Sequence, residues 1–182
     1  MYIASQLKEQ NIAEYLLYMW QVEDLLRAYG LDAQRVATDY IARFDYSDAQ
    51  KQEVATWYAN LADMMRQEGV KESGHLQINR NTLTWLTELH SQLLQSTKQP
   101  FYHATYYKAL PYIVELRAKD KEHPDKTEIE TCLETLYGIV ILKAQKKEIS
   151  AQTAEAVKAI TSLIALLAEL YRQDKQGTLE LE

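Results

Sequence analysis

The chain has 182 residues, 47% of them hydrophobic and 25% charged, which is enough for one good core and too little for two ordinary domains. A formal charge of −6 and a pI near 5.3 argue against nucleic acid as a partner. No run approaches the ~18 apolar residues of a membrane span, and the single cysteine, Cys132, has no internal partner for a disulfide.

With 5 Gly and 3 Pro there is little turn material, and apolar residues recur at helical spacing almost from end to end. The first helix is expected from Ser5 or Asn11 to Tyr29, stopped by Gly30. Asp32 caps a shorter one with Val36, Tyr40 and Phe44 on one face. Ser47 followed by Gln50 is a capping box that opens a third helix ending at Gly69. Residues 70–74, VKESG, read as a flexible connection, with Ser73-Gly74-His75 as a solvated loop. A fourth helix is expected from His75 to Ser96. The fifth follows Pro100 and contains YHATYYKALPYIVELR, residues 102–117. A charged loop with Pro124 precedes a sixth helix over Lys126–Lys147, in which Gly138 costs ~1 kcal/mol of helix propensity. Ser150 caps the last helix, which Gly177 stops.

These elements predict an all-α fold: a single-domain up-and-down bundle of about seven helices joined by short loops. The domain is expected over residues 1–176, followed by a tail, 177–182. The final Leu181-Glu182 pair has the form of a cloning scar and stays outside the fold reading. The first residues, MYIASQLKEQN, lack the basic and apolar regions of a secretory signal, so a cytoplasmic protein is expected.

Polar residues inside the apolar arcs are the candidates for function. At ~100° per residue, Glu23 falls in the middle of the arc set by Ile12, Leu16, Met19, Val22 and Leu26. Asn79 and His90 lie beside the stripe of Ile78, Leu86, Leu89 and Leu93. On the fifth helix, His103 and Arg117 fall among Tyr106, Leu110, Ile113 and Val114. An isolated buried charge is too costly to keep, so Glu23 and Arg117 are expected to pair, directly or through water. Pro111 either kinks that helix or starts a new one.

These residues have two readings. They form a closed polar network that fixes helix register, or Arg117, His103, His90, Glu23, Asn79 and Tyr106 line a pocket for an anion or small polar ligand. An enzyme using Glu23, His90 or His103 for acid–base chemistry around Arg117 is the alternative of another class. No complete catalytic motif supports it: the glycines are too scattered for a phosphate loop, and one cysteine excludes cysteine-type zinc sites. The single Glu-x-x-His, Glu72 to His75, is interrupted by Gly74, against a di-iron centre. No cofactor is expected. Lys143, Lys146 and Lys147 read as the cationic end of a helix. A non-catalytic binding or interaction protein is favoured, with self-association through an exposed apolar helix face as a third reading.

NIAEYLLYMWQVEDLLRA, GHLQINRN, YYKALPYIVELRAK and EIETCLETLYG together resemble a family of bacterial proteins classed as domain of unknown function 4924. The resemblance covers residues 1 to about 173 and implies an all-helical single-domain protein. It assigns no activity and no site residue.

Overall fold

A computed structural model describes every residue of the chain except Glu122 and Pro124, so the expectation for Pro124 lies outside the described residues. Eight α-helices and no strand are present among the described residues. The fold is an all-α, single-domain bundle.

The added helix comes from a break at Asn11. Its backbone is extended, with φ −153° and ψ 98°, and separates α1 (Tyr2–Gln10) from α2 (Ile12–Ala28). The Asn11 side chain accepts from the amides of Ala13 and Glu14, a capping interaction that compensates the start of α2. Apolar periodicity runs straight through this point, so the break has no signature in hydropathy. Gly30, at φ 64°, and Leu31, at φ 61°, turn the chain into α3 (Ala33–Arg35). Asp32 caps α3 as expected, through the amide of Arg35. The segment then widens to a π turn (Val36–Tyr40) and tightens to a 3-10 turn (Ile41–Arg43). The capping box of Ser47 and Gln50 is present and opens α4 (Asp48–Gln67).

The next helix, α5 (Gln77–Gln95), starts two residues later than expected. Pro111 starts nothing new: α6 (Pro100–Lys119) runs through it. Gly138 is likewise accommodated within α7 (Glu128–Ala144), and Ser150 caps α8 (Ala151–Lys175) through the amide of Thr153. The long α8 is the central strut and touches α2, α5, α6 and α7. Ile160, Leu163, Ile164 and Leu167 of α8 are buried there with Leu16, Leu86, Leu93, Ile113, Ile129 and Leu133. The tail also packs: Leu179 and Leu181 are half-buried. Ser96 Oγ donates to the Leu181 carbonyl at 2.7 Å, and Gln99 Nε2 donates to that of Glu180 at 2.8 Å.

The phase of α6 differs from the expectation. Tyr102, Tyr106, Ala109 and Ile113 face the core, whereas Val114 is 57% exposed. Ile78 on α5 is also exposed. No described helix is long and apolar enough to cross a membrane.

Candidate functional site

The inward polar residues resolve into two separate clusters. Glu23 on α2 is fully buried and sits against the start of α5. Its Oε1 accepts from the Leu76 amide at 2.9 Å and from Asn79 Nδ2 at 2.7 Å. Its Oε2 lies 2.6 Å from His75 Nδ1. The residue preceding α5 is Leu76, which has no side-chain acceptor to offer. Glu23 therefore acts as a cap supplied from another helix, satisfying an amide that α5 leaves open and placing negative charge at its positive end.

One turn earlier on α2, Trp20 stacks on His75 with ring centroids 4.5 Å apart and planes 18° from parallel. Tyr137 of α7 meets Trp20 edge-on at 5.6 Å and donates to Asp24 Oδ2 at 2.5 Å. Asp24 also holds Arg27 at 2.8 Å. Arg27 in turn donates to the carbonyls of Val70, at 3.2 Å, and Gly74. Residues 71–74 are exposed, as expected of a solvated connection, but the segment is strapped to α2 through Val70, Gly74, His75 and Leu76, where a flexible one was expected. Trp20 Nε1 and Asn79 Oδ1 are buried without a hydrogen-bond partner among the described residues.

Arg117 is not part of this cluster. It is exposed in the last turn of α6, where a long side chain reaches water freely. The expected Glu23–Arg117 pair is therefore replaced by Glu23 with His75, Leu76 and Asn79. Arg117 is the expected partner because its helical phase places it inward, but the Glu23 carboxylate is compensated by a helix start and an imidazole. His75 was missed because Ser73-Gly74-His75 reads as turn material. The usable signal was a buried acid with no amide partner of its own, beside a helix whose N-terminus lacks a capping side chain.

The second cluster lies eleven residues further along α5, about 16 Å at 1.5 Å per residue. His90, 5% exposed, has Nδ1 at 2.6 Å from Tyr102 Oη and Nε2 at 3.4 Å from Glu128 Oε2. With the proton on Nε2, the imidazole accepts from the tyrosine and donates to the carboxylate. Glu128 is the first residue of α7, and its neighbour Thr127 caps that helix through the amide of Glu130. The Tyr106 ring lies 5.2 Å from that of His90.

Burial dominates the titration of this cluster. It lowers the pKa of His90, against the opposing pull of Glu128. It pushes Tyr102 far up and Tyr106 up to about 12, with the nearby Glu128 carboxylate adding to the latter shift. It also raises the Cys132 thiol to about 12. These groups are held neutral at physiological pH, which suits a structural tie better than proton transfer. His103 joins neither cluster: half-buried, its Nε2 donates to the Leu93 carbonyl at 2.9 Å, tying α6 to the last turn of α5. No group of three or more His, Cys, Asp or Glu side chains is placed to hold a metal ion among the described residues.

Open space lies elsewhere. A groove of about 420 Å³ runs between α2, α7 and α8. Ala13, Ile139 and Ile164 form its buried floor, with Leu17, Leu136, Val140 and Val157 half-buried as walls. Asn11, Glu14, Lys143, Thr161 and Ala165 complete the lining. Lys143 makes no ion pair among the described residues.

An all-helical bundle with its inward polar residues mutually bonded, and an apolar groove apart from them, defines the class of molecule. The chain belongs to the family described as "Domain of unknown function (DUF4924)", whose model matches residues 1–178. No curated protein matches the chain, and no solved structure does.

Proposed function

We propose that the protein is a non-catalytic binding protein, cytoplasmic as its single free cysteine suits, whose groove between α2, α7 and α8 receives a small acidic ligand with an apolar body. The observation that carries this reading is the composition of the groove: an apolar floor from three helices, with Glu14 on α2 and Lys143 on α7 in its lining and no ion pair made by Lys143 among the described residues. Its volume, about 420 Å³, lies in the range of small-molecule sites. The apolar body of the ligand displaces water from Ile139, Ile164 and Leu136, and its carboxylate meets the Lys143 ammonium. Arg117, His103, His90, Glu23, Asn79 and Tyr106 line no common opening in this reading. Glu23 with Asn79, and His90 with Tyr102 and Glu128, instead tie α2, α5, α6 and α7 to one another, while Arg117 stays at the surface.

A series of medium-chain and aryl carboxylates, each with its matching alcohol and amine, tests the reading by thermal shift and ligand-observed NMR. Carboxylates should stabilise the protein more than the alcohols, and the amines least. Lys143→Gln should remove the preference for carboxylate, and Ala165→Trp should block every ligand of the series. Equal silence of the wild type across the series would overturn it.

A second, catalytic reading has one observation in its favour. His75 is held at Nδ1 by the buried Glu23, and its Nε2 makes no hydrogen bond among the described residues. A carboxylate-oriented imidazole is the arrangement of a general base. Retention of ligand binding by His75→Ala, with no turnover by the wild type of the esters of those carboxylates, would leave the binding reading alone.

A further inference from the structure

α6 is apolar on two sides. Opposite its core face, Ala104, Tyr107, Pro111, Val114 and Ala118 are all exposed, Tyr107 at 65% and Val114 at 57%. Their spacing alternates three and four residues, the repeat by which one helix packs along another. Single exposed apolar residues need no explanation, but a continuous stripe in this register does. Nothing among the described residues covers it.

The charges beside the stripe identify what does. Lys108 and Glu115 flank it on the same side, seven residues apart, and both are exposed. A two-fold axis perpendicular to two antiparallel helices returns each flank to its own side. Same-side residues of the two copies therefore face each other. With the axis between Tyr112 and Ile113, Tyr107 packs on Ala118 of the second copy and Pro111 on its Val114, large against small. In that register Lys108 and Glu115 of the second copy lie on the same flank, offset by only about 3 Å along the helix axis, within reach of their side chains, and the symmetry repeats the pair. A shift by one heptad sets Lys108 against Lys108 instead. On this basis we infer that α6 is a homodimer interface, in which two copies of the chain pack antiparallel through Ala104–Ala118 with Lys108–Glu115 ion pairs between them. Glu115 also contacts Lys119 within α6 at 2.7 Å, between exposed side chains; a pair of this kind contributes little, and the carboxylate has two oxygens with which to meet both lysines. The same face is isologous, as a closed two-fold contact requires.

The overlap in this register is about 20 Å of two helices roughly 10 Å across, at the small end of specific interfaces, so association is concentration-dependent. Sedimentation velocity on the full chain, from micromolar to about 0.5 mM, should show a monomer passing to a dimer. Val114→Glu and Tyr107→Glu, on exposed positions, should shift the midpoint at least about tenfold with unchanged circular dichroism. Lys108→Glu should weaken the dimer, and Lys108→Glu combined with Glu115→Lys should restore it. A wild type monomeric throughout, or a dimer indifferent to Val114→Glu, would overturn the interface. A charge reversal without effect, or a double reversal that fails to restore, would overturn the antiparallel pairing.

Discussion

Glu23 and Asn79 stand 56 residues apart in the chain and meet at 2.7 Å, Asn79 Nδ2 donating to the carboxylate Oε1. The same oxygen accepts from the Leu76 amide, so one buried atom fixes where α5 begins relative to α2. Truncation in Glu23→Ala leaves these donors buried and unpaired, and should cost on the order of 3–5 kcal/mol in urea unfolding. Glu23→Gln keeps an acceptor for both amides and should cost only about 1–2 kcal/mol. A Glu23→Ala variant within about 0.5 kcal/mol of wild type would remove the capping role assigned to this residue.

The pKa of His90 is lowered by burial below its ordinary 6.5. Between the folded and the ordinary value, the unfolded chain binds a proton that the folded one does not. Stability contributed by the neutral imidazole is therefore complete above pH 6.5 and lost as pH falls towards the folded pKa. His90→Gln should flatten that acid limb, and Glu128→Gln should lower the His90 pKa further by removing the charge that opposes burial. NMR titration of the ring measures both directly. A His90 pKa at or above 6.5 contradicts the argument.

Cys132 is fully buried, and its thiol is pushed up to about 12 by burial, with Glu128 adding to the shift. Thiolate is the reactive form, so the native protein should resist aromatic disulfide reagents at neutral pH and react fast in denaturant. The labelling rate then reports opening of the core around α5, α6 and α7. Rapid labelling without denaturant would mean that this core is looser than its packing implies.

Gly138 occupies the interior of α7, and a Cβ built on it meets no atom within 4 Å. Gly138→Ala should therefore stabilise the protein by about 0.5–1 kcal/mol, through helix propensity and a stiffer unfolded chain. Thermal unfolding checks the sign: a lower midpoint would show that something packs against this position.

Much of the fold was legible because local chemistry announces itself. Ser47 with Gln50, Asp32 and Ser150 cap the helices they were expected to cap, and Gly30, Gly69 and Gly177 follow helix ends with positive φ. Asn11 was not legible, because hydropathy periodicity continues across a one-residue break. The orientation of α6 failed for a different reason. With apolar residues on both sides, periodicity finds two faces and gives no ground for choosing the one that meets α8. The candidate residues Glu23, Asn79 and His90 are indeed buried. Their partners were hidden, because charge complementarity names a type of residue and says nothing of distance. Glu23 found an imidazole and a backbone amide across more than fifty residues, and no local pattern encodes that.

The break at Asn11 has a kinetic side. Only Ala4 of α1 is buried, and Tyr2 and Ile3 remain more than a third exposed. The helix rests on α2 and on two contacts of Tyr2, a hydrogen bond to Glu53 and an edge-on approach to Tyr46 at 5.7 Å. Because α2 is capped by Asn11 itself, it loses no backbone hydrogen bond of its own interior when α1 detaches. The amides of α1 should exchange with solvent through a local opening far below the global unfolding free energy. Those of α2 and α8 should exchange only when the whole bundle comes apart.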